Sequence, residues 1–272
     1  MDKYCVFGNP IKQSRSPFIH QSFAKATGQV LHYDTCFVEL DGFTEAVTDF
    51  IAKEGKGANV TAPFKEQAMS MCDELTEHAK FSGAVNTLTF KDGKIYGDTT
   101  DGVGLVNDLL ANNVYIKNSR ILLLGAGGAS KGVVLPLLNQ QPKSLTIANR
   151  TVSKAKAIVE QYTDQPLSAC SFDEANEQEF DIIINATSAG LTGHGIPVEE
   201  KLITPNCVCY DMTYGKELTP FLQKAKELNA KNAIDGLGML VGQAAESFNI
   251  WRKVKPSVKP VLNELRSSLN GD

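Results

Sequence analysis

Apolar and polar positions follow two rhythms along the chain. Residues 4–8 form a short apolar run closed by Gly8. Ser16-Pro17 then opens a predicted helix that stops near Gly28, with Ser16 as N-cap and Pro17 at the first helical position. Residues 31–40 read as a strand, 43–54 as an amphipathic helix and 57–61 as a further short strand. Residues 85–90 and 94–96 flank Asp92-Gly93, a hairpin turn signal. Asp101 is placed to cap the helix that follows, whose apolar positions are Val103, Leu105, Val106, Leu109 and Leu110. From residue 121 the runs become mostly apolar, with Thr146 the one polar position in those that follow. Residues 121–124, 145–148, 182–184, 208–210 and 233–234 read as parallel strands covered on both faces, with helical stretches between them. Thr219-Pro220 opens one of those helices. Beyond Gly236, Leu240, Ala244, Phe248 and Trp251 lie on one stripe of a long helix, and a last helix follows Pro260.

This pattern predicts an α/β protein of two domains with a cleft between them. One is an open, mostly parallel sheet domain, residues 1–101, completed by helices from 237–272. The other is a doubly wound Rossmann-type domain, 102–236. The 272 residues are long enough for two such cores, and 42% hydrophobic with 21% charged residues is an ordinary globular composition. The net charge of −4 argues against a nucleic-acid partner. The first eight residues read as a strand rather than a leader, and no segment has the apolar length of a membrane span. A cytoplasmic protein is expected, monomer or homodimer. The six cysteines show no metal-ligand spacing with the four histidines, so no metal is expected. Cys207 and Cys209 share one face of a predicted strand and read as buried thiols.

Candidate chemistry begins at Gly125-Ala126-Gly127-Gly128-Ala129-Ser130, directly after an apolar strand and at a helix start. Glycines there let the backbone approach a pyrophosphate, which the free N–H groups of the helix receive. NAD-binding versions place a carboxylate at the end of the next strand. Here that strand ends in Asn149-Arg150-Thr151, with Lys154 beyond. A guanidinium forks onto a 2′-phosphate, and hydroxyl, amide and ammonium groups add to it, so NADP (NADPH) is the expected cofactor. The same residues also suit a plain helix cap with solvated basic side chains. Three further segments, Ser14-Arg15-Ser16, Asn59-Val60-Thr61-Ala62-Pro63-Phe64-Lys65 and Gly97-Asp98-Thr99-Thr100-Asp101-Gly102, carry polar groups at strand or helix ends. Spacing alone does not distinguish an active site there from ordinary caps and first-turn residues.

Taken together, the motifs resemble the shikimate dehydrogenase family. The resemblance rests on Gly8-Asn9-Pro10-Ile11 with Ser14 and Ser16-Pro17, on Asn59-Val60-Thr61-x-Pro63-Phe64-Lys65, on Gly83-Ala84-Val85-Asn86-Thr87 and on Thr100-Asp101-Gly102. It continues through the glycine turn, Asn149-Arg150-Thr151, Asn185-Ala186-Thr187-Ser188, Tyr210-Asp211-Met212-x-Tyr214 and residues 235–244. It implies NADPH-dependent, reversible reduction of 3-dehydroshikimate to shikimate, within aromatic amino-acid and chorismate biosynthesis. It further implies Lys65 as the catalytic acid/base with Asp101 as its partner, and Ser14, Ser16 and Tyr214 around the substrate carboxylate. Thr61, Lys65, Asn86, Asp101 and Gln243 would surround the ring hydroxyls. Glu77, Thr187, Met212, Gly236 and Met239 would sit near the cofactor. Thr99 stands where the family usually has Asn. The alternatives are a quinate/shikimate dehydrogenase with broader substrate or cofactor use, a folate-linked dehydrogenase of related architecture, and a non-catalytic NADP sensor. The first normally lacks Arg150, Thr151 and Lys154 together with paired Ser14 and Ser16, and Lys65 with Asp101 argues against the sensor.

Overall fold

The computed structural model describes residues 1–187 and 198–271. The chain forms two compact units, 1–104 with 240–265 and 105–239 with 266–272.

The first unit contains β1 (Asp2–Gly8), α1 (Ser16–Thr27), β2 (Leu31–Phe37), α2 (Phe43–Ala52), β3 (Gly55–Val60), α3 (Lys65–Ser70), β4 (Glu74–Leu75), α4 (Glu77–Ser82), β5 (Thr87–Lys91) and β6 (Lys94–Asp98). Its sheet has the order β2-β1-β3-β5-β6-β4. β1 pairs in parallel with β2 and β3, and β4 with β6, while β5 is antiparallel to both β3 and β6. The β5–β6 hairpin turns at Asp92 and Gly93, both at positive φ, as its sequence predicts. Phe7, Phe43, Val47, Phe64 and Leu88 fill one face of this sheet, each buried, with Phe64 stacked on Phe43 at 4.9 Å. Full burial of such side chains stabilises by about 1.5–3 kcal/mol each.

α5 (Asp101–Ala111) follows, and then β7 (Arg120–Leu124), α6 (Gly128–Leu138), β8 (Ser144–Ala148), α7 (Val152–Val159), β9 (Leu167–Cys170), α8 (Phe172–Ala175), β10 (Ile182–Asn185), β11 (Val208–Asp211), α9 (Pro220–Glu227) and β12 (Asn232–Asp235). The second sheet is parallel throughout, in the order β12-β11-β10-β7-β8-β9. β7 is central, with β10 on one side and β8 on the other, so chain order reverses beside it. Ligands bind outside the strand ends at such a reversal. Cys207 and Cys209 are fully buried in this core with Leu122, Leu124 and Ile183, and all six cysteines are free thiols. α10 (Leu237–Arg252) and α11 (Val258–Asn270) complete the chain.

Two caps depart from expectation. Ser16 is the first residue of α1 rather than its N-cap; Arg15 takes that place without a side-chain cap. The cap is supplied one step earlier, where the Ser14 hydroxyl accepts the Ser16 N–H at 3.3 Å. Asp101 is likewise the first residue of α5, and its carboxylate is bonded to other side chains. Thr219 does cap α9, accepting from the Leu222 N–H. β4, β9 and the short helices α3, α4 and α8 were not foreseen. β9, Leu-Ser-Ala-Cys at a sheet edge, has too few large apolar residues to stand out.

Candidate active site

Lys65 opens α3 directly after the Thr61-Ala62-Pro63-Phe64 turn. Stacking of Phe64 on Phe43 and a 2.9 Å bond from the Val85 N–H to the Lys65 carbonyl pin its backbone. β6 delivers Asp101 from the other side. The Lys65 Nζ donates to Asp101 Oδ2 at 2.6 Å, with the lysine side chain 33% and the aspartate 18% exposed. The other carboxylate oxygen, Oδ1, accepts from Asn86 Nδ2 at 2.9 Å. Asn86 Nδ2 also reaches Thr100 Oγ1 at 3.1 Å and Gln243 Oε1 at 3.4 Å. A positioned ammonium is held against a carboxylate, with an amide and hydroxyls around the pair.

Four residues proposed for the substrate, Lys65, Asn86, Asp101 and Gln243, are therefore linked by hydrogen bonds. Thr61 lies at the end of β3, its N–H donating to the Phe7 carbonyl at 3.0 Å. Ser14 is half-buried and Ser16 buried at the start of α1. Tyr214, half-buried, follows β11 in the second unit. Glu77 is exposed at the first position of α4. Thr99 is buried, and its N–H donates to Asp98 Oδ1 at 2.7 Å.

In the second unit, Gly125 at φ +102 makes the turn out of β7, a conformation open to glycine and strained for other residues. Ala126 and Gly127 lead into α6, whose first turn holds Gly128 and Ala129. Gly127 is the N-cap of α6 and offers no side-chain cap, so the first N–H groups of this eleven-residue helix are left for another acceptor. A Cβ placed on Gly127 or Gly128 would meet nothing within 4 Å. The glycines thus leave open room above the helix start, and the donor set fits a dinucleotide pyrophosphate. At the end of β8 the Asn149 amide folds back onto the Thr151 carbonyl at 2.9 Å. Arg150 is exposed and its side chain, like that of Lys154, makes no hydrogen bond or ion pair among the described residues.

The ends of β10 and β11 join in a polar cluster. The buried Asp211 carboxylate accepts from Asn185 Nδ2, the Thr219 hydroxyl and the Thr213 N–H. Asn185 Oδ1 takes the Thr187 N–H at 3.1 Å and its hydroxyl at 2.7 Å. Gly236 packs so closely on Met212 that any Cβ would overlap the Met212 carbonyl. Thr187, Met212 and Gly236 are thus fixed around the same strand ends, with Met239 one turn into α10. A similar close approach occurs at Gly238, against the Asp108 carboxylate. Burial raises the pKa of Asp108, against the 2.7 Å bond from the Tyr210 hydroxyl. Ser188, quoted among the motifs, lies outside the described residues.

A glycine turn at the order reversal of a parallel sheet, beside an uncapped helix start, defines the class: a dinucleotide-dependent α/β enzyme, here with a lysine–carboxylate pair in its other unit. Comparison with known proteins narrows the class. Residues 6–88 match the shikimate dehydrogenase substrate binding domain, 108–194 the shikimate / quinate 5-dehydrogenase family and 236–266 the shikimate 5'-dehydrogenase C-terminal domain. The chain is 58% identical to a shikimate dehydrogenase (NADP(+)) of Colwellia psychrerythraea over 98% of both chains. Among solved structures, an Ael1 enzyme from Pseudomonas putida is 42% identical with TM-score 0.94, covering 97% of this chain and 98% of that one. A Thermus thermophilus shikimate 5-dehydrogenase, solved with NADP(H) and shikimate, is 28% identical with TM-score 0.89, covering 99% and 100%. The chain belongs to the shikimate dehydrogenase family.

Proposed function

We infer that the protein catalyses the reversible, NADPH-dependent reduction of 3-dehydroshikimate to shikimate, a step of aromatic amino-acid and chorismate biosynthesis, a reading supported by relatives named shikimate dehydrogenase (NADP(+)). The observation that carries this reading is the Lys65–Asp101 pair at 2.6 Å, in a chain whose second unit offers the open helix start. Bound NADPH supplies a hydride to the carbonyl carbon. The carbonyl oxygen then takes on negative charge and needs one proton to become the hydroxyl. The Lys65 ammonium stabilises that charge and donates the proton, and in the reverse direction neutral Lys65 receives it. Asp101 holds Lys65 in place. Thr61, Asn86 and Gln243 bond the ring hydroxyls, and Ser14, Ser16 and Tyr214 bond the carboxylate. The cofactor's 2′-phosphate is received by Asn149, Arg150, Thr151 and Lys154. Residues 125–129 take the pyrophosphate, with Glu77, Thr187, Met212, Gly236 and Met239 beside the rest of the nucleotide. Domain 1–101 with 237–272 serves the substrate and 102–236 the cofactor. The protein acts in the cytoplasm, as its six free thiols favour, as a monomer or homodimer. Among the described residues, no helix is long and apolar enough to cross a membrane.

The test is nicotinamide absorbance with shikimate and NADP, run beside quinate and NAD. Turnover of shikimate with NADP, well above the three other substrate and cofactor combinations, is expected. No turnover of shikimate with NADP would remove this function, and equal use of quinate would replace it with the broader one.

A further inference from the structure

Joined to the Lys65–Asp101 pair through Asn86 is a buried polar network whose other members, Tyr33, Asn59, Thr87, Thr100 and Ser247, have no part in the site assignments. Its centre is Asn59, 6% exposed, on β3. Asn59 Oδ1 accepts the Tyr33 hydroxyl at 2.7 Å. Its Nδ2 faces three acceptors: the Asn86 carbonyl at 3.1 Å, Thr87 Oγ1 at 3.2 Å and Ser247 Oγ at 3.0 Å. A carbonyl only accepts, so the amide must present its nitrogen to Asn86 and its oxygen to Tyr33. Thr87 Oγ1, accepting from Asn59 Nδ2, keeps its own proton for another acceptor. Thr87 Oγ1 donates to Asn86 Oδ1 at 2.7 Å, and the Thr100 N–H donates to the same oxygen at 3.0 Å. With its oxygen so occupied, Asn86 must turn Nδ2 toward Asp101 Oδ1. That leaves Asp101 Oδ2 for Lys65.

We propose that Asn59 is a positioning residue for the reaction: by holding the Asn86 carbonyl and the Thr87 hydroxyl, it sets the orientation of the Asn86 amide that fixes Asp101 against Lys65. The proposal rests on the reading that Lys65 and Asp101 carry the proton transfer. Asn59 touches neither substrate nor cofactor in this scheme and acts through two intervening residues. A buried amide with all its bonds made is costly to disturb, because each broken bond leaves a polar group without a partner. Asn59→Asp keeps the size of the side chain and removes both N–H donors. The carboxylate then faces the Asn86 carbonyl, which repels it. Thr87→Val is the milder variant, deleting the one hydroxyl that links Asn59 to Asn86 Oδ1.

The experiment measures kcat and both KM values for Asn59→Asp and Thr87→Val, each in the parent enzyme and in a Lys65→Ala background, with melting temperatures recorded. In the parent, Asn59→Asp should lower kcat about 10- to 100-fold, the scale of a displaced reacting group, and leave the KM for NADPH unchanged. Thr87→Val should lower kcat in the same direction by a smaller factor. In the Lys65→Ala background neither substitution should slow the enzyme further, since the group being positioned is gone. The same fold-loss in both backgrounds would overturn the proposal in favour of a general structural role. So would a parent kcat within twofold of the original for both variants. If Asn59→Asp does not fold, Thr87→Val decides by the same criteria. A Lys65→Ala enzyme with parental kcat identifies the other failure, that of the catalytic reading itself, and overturns both.

Discussion

The Lys65 ammonium and the Asp101 carboxylate meet at 2.6 Å although they start from different helices, α3 and α5. Lys65 is a third exposed, so it is open to a ligand while being held from behind. A positioned acid/base contributes about 10²–10⁴-fold, and Lys65→Ala should lower kcat by that factor with NADPH affinity nearly unchanged. Asp101→Ala should lower kcat and weaken substrate binding together. The double variant should be about as slow as the worse single one, because the two act as a unit. Steady-state kinetics of the three variants provide the check.

Ser14 and Ser16 supply the second prediction. Ser16 does not cap α1, so loss of its hydroxyl removes no capping bond. Ser16→Ala should leave the melting temperature close to that of the parent while raising the KM for shikimate. Ser14→Ala also deletes the bond to the Ser16 N–H, at a cost of about 0.5–2 kcal/mol of stability. A KM that stays constant in the double variant would dismiss carboxylate binding by these hydroxyls.

Arg150 is exposed, with no ion-pair partner among the described residues, as a residue awaiting an anion should be. Arg150→Ala should weaken NADP binding by about 1.5–3 kcal/mol, the scale of a charge-assisted hydrogen bond, and barely alter NAD binding. Titration calorimetry with both nucleotides separates the two. Equal losses would show that Arg150 does not read the 2′-phosphate.

Gly127 offers a test in which stability and binding separate cleanly. A Cβ there meets no protein atom within 4 Å, and its φ of −89° suits other residues. Gly127→Val should therefore fold with a near-parental melting temperature, yet bind NADP poorly because the side chain enters the space for the pyrophosphate. Retained NADP affinity would place the phosphates elsewhere.

His20 governs a pH effect. Its ring is fully buried and stacked 4.2 Å from Tyr33. Asn59 lies close by but outside good hydrogen-bond geometry, and neither ring nitrogen has a partner among the described residues. Burial lowers the pKa from 6.5 to about 3. Between those values the unfolded chain binds a proton that the folded chain refuses. The stability from neutral His20 is complete above pH 6.5 and is lost as pH falls toward 3, at a slope approaching about 1.4 kcal/mol per pH unit. Urea unfolding of the parent and of His20→Phe near pH 7 and near pH 5 measures it. The variant should lose less stability over that interval, and an equal loss would assign the slope to other groups.

The centre of the second sheet was legible because β7 and β10 carry unbroken apolar runs, Ile121-Leu122-Leu123-Leu124 and Ile182-Ile183-Ile184, which leave little choice but burial on both faces. The glycine turn was legible for the same reason, since it follows such a run. β9 was not, because an edge strand is held mainly by backbone bonds to β8 and needs no strong side-chain signal. Lys65 and Asp101 stood out only through motif resemblance, because a first-turn lysine and a helix-start aspartate are commonplace and thirty-six residues separate them. The network around Asn59 was missed altogether. Its members, Tyr33, Thr87, Thr100 and Ser247, come from four distant segments, and only the full sheet order from β2 through β1, β3 and β5 to β6, with the packing of α10, brings them together. An asparagine inside a strand-like run, with no turn to explain it, was the available sign.

Gly236 and Gly238 end on a matter of inheritance. One backbone lies against the Met212 carbonyl, which leaves no room for even a methyl group, and the other against the Asp108 carboxylate, which would have to move to admit one. A saturation library across residues 236–238 should return only glycine at 236 under selection for activity, and at the fully buried Leu237 only apolar residues of similar volume. The lineage can drift around this short segment, but Gly236 itself is held in place by a neighbour's main chain that cannot step aside.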